Sequence, residues 1–301
     1  MPIIATIFLN ILAPVFLLVG IGYLVGPKLE LDVRTASRIG YYILAPAFLF
    51  NIFSQAQIEA DLALRMSAYI IIVVISGAII SYGVAKLLRC STEMTAVFVL
   101  VSVFGNVGNF GFPIIEFKYG EISLVPSALY FIVMTIMGFL VGVTAATWHK
   151  GGRLQAVGQA FKTPAILAVF PAVAVNLLDY QVPLFLERAF SLLSGAMIPI
   201  MLLTLGLQLA GMGRPKLTRD IMLVGGFRLL IGPLLAILLA PLFGLAGVER
   251  GAGILQASMP AAVLVVLIAM EHDLVPDVVT TAVLLSTLAS AVTLTAVLAI
   301  I

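Results

Sequence analysis

Long apolar stretches, separated by short links that carry most of the charged residues, take up almost the whole chain. Most of the stretches are about 20 residues long or longer, the length that an α-helix needs to cross the hydrocarbon core of a bilayer. The pattern predicts an all-α membrane protein with ten spanning segments, the sixth of which is the shortest. In chain order, the predicted segments are Ile3–Val25, Val33–Ser54, Leu62–Leu88, Thr92–Phe117, Ile122–Trp148, Pro164–Tyr180, Leu186–Ala210, Thr218–Gly244, Gly251–Met270 and Pro276–Ile300.

The composition agrees with a membrane protein, since 62% of the 301 residues are hydrophobic and only 10% are charged. A soluble globular domain has about 25% charged residues, and the predicted segments leave no room for one. The net charge of +2 is too small to indicate a nucleic-acid partner, and the single cysteine, Cys90, excludes an intramolecular disulfide. The N-terminal stretch has no basic region and is too long for a cleaved signal peptide, so we interpret it as the first segment.

The basic residues are divided unequally between the two sides that these segments define. Cytoplasmic links of membrane proteins carry an excess of Lys and Arg. We therefore predict that the links after the odd-numbered segments are cytoplasmic, including residues 149–163, and that both termini lie outside an inner (plasma) membrane. The basic residues in or beside the cytoplasmic links are Lys28, Arg34, Arg38, Lys86, Arg89, Lys150, Arg153, Lys162, Arg214, Lys216 and Arg219, whereas the opposite links hold Arg65, Lys118, Arg188 and Arg250.

The link at residues 149–163 divides the chain into two halves, 1–148 and 164–301, which we predict to be five-segment repeats inserted in opposite orientations. Two pairs of segments, each pair five segments apart, share a proline and a polar residue at matching positions, which is typical of inverted repeats in transporters. The matching positions are Pro46 and Pro199, Gln55 and Gln208, and Asn51 and Thr204 in segments 2 and 7, and Pro113 and Pro260, and Asn109 and Gln256, in segments 4 and 9.

Segment 4 contains a stretch at residues 105–113, with the sequence GNVGNFGFP, that makes a poor continuous helix. Its glycines lower helix propensity, and Pro113 removes an N–H and clashes with the carbonyl of Asn109. Freed backbone groups at membrane depth are tolerated only inside protein or beside a water-filled cavity. We predict that segments 4 and 9 are both broken and cross in the middle of the membrane. The predicted backbone of the crossing includes Gly105, Gly108, Gly111, Pro113, Met259 and Pro260.

Such a crossing favours an anion, because the N-termini of half-helices carry a partial positive charge and bind negatively charged groups. The alternative is a kinked structural helix whose asparagines bond only to a neighbouring helix or to the freed backbone.

Three motifs resemble the auxin efflux carrier family, which includes bacterial permeases described as malate or malonate carriers and the plant auxin exporters. They are GNVGNFGFP in segment 4, SMPA at residues 258–261 and RLLIGP at residues 228–233. The resemblance covers essentially the whole chain and implies a 5+5 inverted repeat related to bile-acid/sodium symporters and sodium/proton antiporters. Segments 1, 2, 6 and 7 would form a scaffold, often at a dimer interface, and segments 3–5 and 8–10 a moving domain. The long cytoplasmic loop of the plant members is absent, which argues against auxin as the substrate.

Seven polar residues are candidates for binding the substrate. Asn106 and Asn109 are three residues apart and share one helical face, and Gln256 and Ser258 are their expected counterparts in segment 9. Arg228 is the one basic residue well inside a segment, where it either pairs with a substrate carboxylate or snorkels to the cytoplasmic surface. The remaining candidates, which line the cavity or bond between helices, are Asn51 and Gln208.

Two further groups of charged residues are expected at loops. Glu116 and Lys118 either pair near the outer surface, or Glu116 carries a coupling proton. The cluster at residues 271–273, Glu-His-Asp, is expected to be a loop and not a metal site, because a usual zinc site needs three or four ligands. We predict no cofactor and leave open a coupling ion, H⁺ or Na⁺.

The sequence thus predicts a secondary or facilitative carrier of small organic anions, with the lipid bilayer and a second copy of the chain as partners. No catalytic triad, paired catalytic carboxylates or phosphate-binding glycine loop indicates an enzyme. The alternatives are a sodium- or proton-coupled symporter or antiporter of the related fold, in which sodium sites use polar side chains and carbonyls at the crossing, and a membrane enzyme or non-transporting sensor.

Overall fold

The computed structural model describes residues 3–56, 59–147, 162–212 and 217–301, and all the extended regular elements in these ranges are helical. Three of the helices, α1, α2 and α6, each contain one π-helical turn, and α5 begins with one at Val107–Gly111. In chain order, the helices are α1 (3–25), α2 (33–55), α3 (Ala60–Leu87), α4 (Thr92–Val103), α5 (107–119), α6 (124–147), α7 (Pro164–Leu177), α8 (Leu184–Ala210), α9 (Arg219–Leu239), α10 (Gly247–Ala257), α11 (Leu264–Glu271) and α12 (Pro276–Ile300).

Six of the described helices are long and apolar enough to cross a bilayer unaided, and α4 and α7 are shorter apolar helices. These six spans are Ile4–Leu29, Ala60–Leu87, Glu121–Ala146, Leu184–Ala210, Arg219–Phe243 and Pro276–Ile300. Large apolar side chains such as Leu17, Ile79, Leu192 and Val292 are exposed on their outer faces. A surface of this kind is energetically favourable against lipid and not against water. The protein is therefore a multi-pass membrane protein, as predicted.

Local sequence signals set several helix starts. The side chain of Asp32 accepts hydrogen bonds from the backbone N–H groups of Arg34 and Thr35 at the start of α2. Ser91 caps α4, and Thr218 caps α9, in the same manner. Proline occupies the first turns of α7 and α12, where its missing N–H has no helical partner to lose. These starts agree closely with the predicted segments, whereas α10 begins at Gly247, one turn before predicted segment 9.

The helices pack in two groups. In the first group α8 packs against α1 and α2, and α7 packs against α2. In the second group α3 packs against α4, α6 and α9, while α9 packs against α12 and α10 packs against α6. The contact of α1 with α8 is unusually close, since a Cβ added to Gly206 would overlap the backbone of Val19 and Tyr23. A Cβ at Gly22 would likewise overlap the carbonyl of Leu203. Small residues permit this approach, as at many helix contacts in membranes.

Predicted segments 4 and 9 are each interrupted. Helix α4 ends at Val103, and α5 begins at Val107 after a short non-helical connection. Helix α10 ends at Ala257, and α11 begins at Leu264. The prediction that Pro113 interrupts segment 4 is wrong, because the helix continues through it. Pro113 lies two residues after the end of the π-helical turn at Gly111, whose wider hydrogen-bonding pattern accommodates the missing N–H, and the interruption at residues 104–106 lies about two turns earlier.

Candidate functional site

The two interruptions contact each other through their backbones. The N–H of Asn106 donates to the carbonyl of Pro260 at 2.7 Å, and the N–H of Ala262 donates to the carbonyl of Phe104 at 3.0 Å. Gly105 and Ala261 thus form an isolated antiparallel bridge. These bonds satisfy backbone groups that the interrupted helices leave unpaired, which is a requirement inside a membrane protein.

Arg228 of α9 is buried against this bridge, with 7% of its surface exposed. Its Nε donates to the carbonyl of Met259 at 2.9 Å, and its Nη1 donates to the carbonyl of Ser102 at 2.6 Å. Gly105 lies so close that an added Cβ would overlap Nη2 of the guanidinium. Arg228 therefore binds the backbone at both interruptions and does not extend to the protein surface.

A cavity of about 460 Å³ extends from the first turns of α2 to the interruption before α5. Helices α6, α8 and α11 complete its walls, which are mostly apolar and aromatic. None of the described residues that line it is acidic, and the single charged side chain among them is the exposed Arg38. The polar side chains that line the cavity are those of Ser37, Arg38, Tyr41, Tyr42, Asn106, Asn109, Thr135, Thr163 and Gln208. This chemistry suits an anion with an apolar portion better than a cation.

Asn106 is one of the buried polar residues that line the cavity, with 5% of its surface exposed. Its backbone bonds to Pro260, Phe110 and Gly111, yet its side-chain Nδ2 has no hydrogen-bond partner. A buried donor without a partner costs about 1–3 kcal/mol. Asn109 is partly buried and lines the same cavity. The two asparagines thus place amide groups where a bound molecule could satisfy them.

Gln208 lines the same cavity from α8. Its Nε2 donates to the hydroxyl of Ser37 at 3.1 Å, whereas its buried Oε1 has no partner. The structure therefore brings Asn106, Asn109 and Gln208, three of the seven candidates for a substrate site, to one cavity.

The expected counterparts in segment 9 lie elsewhere. Gln256 is fully buried, and its Nε2 donates to the carbonyl of Ser127 at 3.3 Å. Its Oε1 lies against Gly111, where a Cβ would overlap it. The hydroxyl of Ser258 donates to the carbonyl of Ile254 at 2.6 Å, within its own helical turn. Neither side chain lines the cavity of about 460 Å³.

Asn51 lines a separate cavity of about 520 Å³ near the C-terminal end of α2. Its Oδ1 accepts a hydrogen bond from Nε2 of Gln55 at 3.2 Å. Ser37 and Asn51 are on one helix with a rise of 1.5 Å per residue, so these two residues lie roughly 20 Å apart along α2. Asn51 and Gln208, expected to line one cavity, therefore line different ones.

Residues predicted for the backbone of the crossing lie at close contacts beside the two interruptions. Gly108 lines the cavity of about 460 Å³, and an added Cβ would lie 3.1 Å from the ring of Phe131. Met259 is fully buried, and its carbonyl and that of Pro260 both accept hydrogen bonds across the interruptions.

Two groups of charged residues, at residues 116–118 and 271–273, are expected at loops. Lys118 lies over the ring of Tyr119, with 5.8 Å from Nζ to the centroid, and the expected ion pair with Glu116 is not formed there. The described ranges hold no group of three or more His, Cys, Asp or Glu side chains placed to bind a metal ion.

Comparison with known families decides what kind of membrane protein this is. A family model described as membrane transport protein matches residues 7–151 and 153–298. The chain belongs to the membrane transport protein family. This confirms the family resemblance found in the sequence, and it indicates a transporter and not an enzyme.

Curated relatives of this transport protein are similar over nearly their whole length. An uncharacterized transporter of Methanothermobacter thermautotrophicus is 28% identical over 93% of this chain and 94% of its own. An uncharacterized transporter of Methanocaldococcus jannaschii is 23% identical over 88% of this chain and 90% of its own length. A protein of Rhizobium meliloti named "Putative malonate transporter" is 25% identical over 96% of this chain and 94% of its own length.

Several cavity residues of this transport protein were not recognised as candidates in the sequence. Arg38 was interpreted only as a basic residue beside a link, although its place inside segment 2 was a usable signal. Thr135 and Ser37 also line the cavity, and their signal was a hydroxyl within or beside an apolar segment. Met197 and Met201 line it too, but apolar residues in an apolar segment give no such signal.

Proposed function

We propose that the protein is a secondary or facilitative carrier of small organic anions, carboxylates in particular. In this proposal it works by alternating access, with the substrate bound beside a crossing of segments 4 and 9. The observation that carries the proposal is the cavity of about 460 Å³ that ends at Asn106, whose buried Nδ2 has no hydrogen-bond partner. A carboxylate oxygen in this cavity is the acceptor that the donor lacks.

The electrostatics of the site favour an anion. Val107 and Leu264, the first residues of α5 and α11, both line the cavity. Each helix N-terminus carries roughly half a positive elementary charge. Arg38 adds a full positive charge at the cavity mouth, and no acidic side chain among the described lining residues opposes it. An anion would be attracted along the whole path, whereas a cation would be repelled from it.

A 5+5 inverted repeat is the second part of the proposal, and the packing of the helices supports it. If a two-fold axis relates the halves, segment 1 corresponds to segment 6 and segment 2 to segment 7. The contact between segments 1 and 7 should then recur between segments 6 and 2. Correspondingly, α8 packs on α1 and α7 packs on α2. In the same way, a contact between segments 3 and 5 should recur between segments 8 and 10. Correspondingly, α3 packs on α6 and α9 packs on α12.

The two packing groups suggest which parts move. We assign α1, α2, α7 and α8 to a scaffold that also forms a homodimer, and the remaining helices to a transport domain. The cavity of about 460 Å³ lies between these groups and begins beside Ser37 and Arg38, on the side that we propose to be cytoplasmic. The described arrangement would then be open towards the inside of an inner membrane, with both termini outside.

The name of the Rhizobium meliloti relative supports a dicarboxylate as one substrate to test. The first experiment is a thermal-shift screen of mono- and dicarboxylates against the purified protein, at two pH values and with and without sodium. A ligand that binds only the folded state stabilises it by RT ln(1 + [L]/Kd), so the melting temperature rises with the logarithm of the ligand concentration once this exceeds the Kd. A shift that depends on sodium or pH would identify the coupling ion.

The decisive experiment is flux of the identified anion into proteoliposomes. We expect saturable uptake by the wild type and its loss in Asn109→Ala with normal expression and folding. A protein that binds the anion without moving it would be a sensor, and normal uptake by Asn109→Ala would remove the asparagine from the site.

A further inference from the structure

Four helix ends meet where the two interruptions touch. Helices α5 and α11 begin there, and their N-termini face the cavity proposed for the anion. Helices α4 and α10 end there, at Val103 and Ala257. Each C-terminus carries roughly half a negative elementary charge and leaves carbonyl groups without helical partners. Two such ends beside each other repel, and they also oppose an anion nearby.

Arg228 contacts the backbone at both of these C-termini. The carbonyl of Ser102 belongs to the last turn of α4, and that of Met259 follows the end of α10 by two residues. None of the described acidic side chains forms an ion pair with Arg228. Its single positive charge therefore faces two half-charges of opposite sign, which it offsets almost completely.

Two glycines make room for this arrangement. Gly232 lies one turn after Arg228 on the same face of α9, and an added Cβ would lie 2.5 Å from the carbonyl oxygen of Ala257. Gly105 leaves the space that Nη2 of Arg228 occupies. The glycines thus let α9 and the bridge approach each other closely enough for the guanidinium to reach both chains.

We propose that Arg228 is a positioning residue, a fixed cation that joins the C-termini of α4 and α10 and keeps Asn106 oriented towards the cavity, without touching the substrate. This inference rests on the proposed function only for its effect on transport. Two donors of one planar guanidinium bind two carbonyls in different segments, and a lysine cannot reproduce that geometry. The carbonyl oxygens of Ser102 and Met259 each accept a hydrogen bond from this fixed cation, whose charge disfavours a coupling sodium ion at the same oxygens.

The test compares hydrogen exchange, melting and flux in the wild type, Arg228→Gln and Arg228→Lys. In Arg228→Gln we expect the amides of Asn106 and Ala262, which donate across the bridge, to exchange at least tenfold faster without substrate. The melting temperature should fall by several degrees, and flux should fall at least tenfold. Arg228→Lys keeps the charge and should recover part of all three.

The matched control is Asn106→Ala, which lies in the cavity and leaves Arg228 in place. It should lose flux while the exchange of the Ala262 amide stays unchanged. Unaltered exchange and melting in Arg228→Gln together with lost flux would overturn the proposal, since Arg228 would then act on the substrate. Unaltered flux would overturn it as well.

Should Arg228→Gln not fold, Gly105→Ala serves instead, because it displaces Nη2 and retains the charge. Faster exchange of the Ala262 amide supports the proposal, and wild-type exchange contradicts it. Exchange and melting need no substrate, so they test Arg228 even if the protein proves not to carry an organic anion.

Discussion

Replacing Asn106 by alanine should separate stability from transport. The side-chain Nδ2 of Asn106 is buried without a partner, while the backbone bonds of this residue to Pro260, Phe110 and Gly111 do not involve the side chain. In the absence of substrate, Asn106→Ala removes an unpaired donor that costs about 1–3 kcal/mol. The lost packing of the side chain offsets part of this gain. We therefore expect a melting temperature equal to or above that of the wild type.

Transport by Asn106→Ala should nevertheless fall. A hydrogen bond to a charged group contributes about 1.5–3 kcal/mol, and each 1.4 kcal/mol is about a factor of ten in an equilibrium constant. The affinity for a carboxylate should therefore fall roughly 10- to 150-fold. The assays are melting of the substrate-free protein in detergent and initial uptake into proteoliposomes over a range of substrate concentrations.

Asn176→Ala is the matched control, because Asn176 lies outside the cavity and its side chain is satisfied. Its Nδ2 donates to the carbonyls of Ser54 at 3.2 Å and Ala56 at 2.8 Å. This variant should melt at a lower temperature and keep the KM of the wild type. A lower melting temperature of Asn106→Ala with unchanged uptake would refute the reasoning, since the side chain would then be structural.

Three further predictions concern packing, charge and orientation. Gly206→Leu should abolish folding because the new side chain would overlap Val19. Gly20→Ala should change stability by less than about 0.5 kcal/mol, because no atom lies within 4 Å of the added Cβ. Thermal melting of the two variants tests the difference. Arg38→Gln should raise the KM several-fold at unchanged maximal uptake, and the difference should shrink in high salt, which screens exposed charges. Cys90, the single cysteine, should react with an impermeant maleimide only from the cytoplasmic side.

The sequence pattern predicted that segment 4 is irregular but not where its helix is interrupted. Glycine, asparagine and proline density indicated that segment 4 could not be a regular helix, and the structure does interrupt it. The same residue pattern did not reveal that the interruption is at residues 104–106 and not at Pro113. The π-helical turn before Pro113 accommodates the proline within the helix. Such a turn depends on packing against neighbouring helices, which a local pattern does not contain.

In the candidate site, too, the sequence identified polar residues but not their partners. Polar residues in apolar segments were detectable one by one, and Asn106, Asn109 and Gln208 do line one cavity. Gln256 was chosen by the same signal, yet it bonds to Ser127 behind the interruption. A carboxamide in an apolar helix must find a partner, but the sequence does not say whether the partner is a ligand or another helix.

By itself, the sequence determined that the chain is a multi-pass helical membrane protein, that segments 4 and 9 are irregular and that it resembles a family of carriers. Hydropathy and helix propensity are local properties, so these conclusions needed no knowledge of contacts. Only the tertiary structure decided that the two interruptions pair and that Arg228, remote in sequence from both Ser102 and Met259, binds them. Those contacts arise from the packing of α9 against the two interruptions, and packing between distant segments is not encoded in any single stretch of the chain.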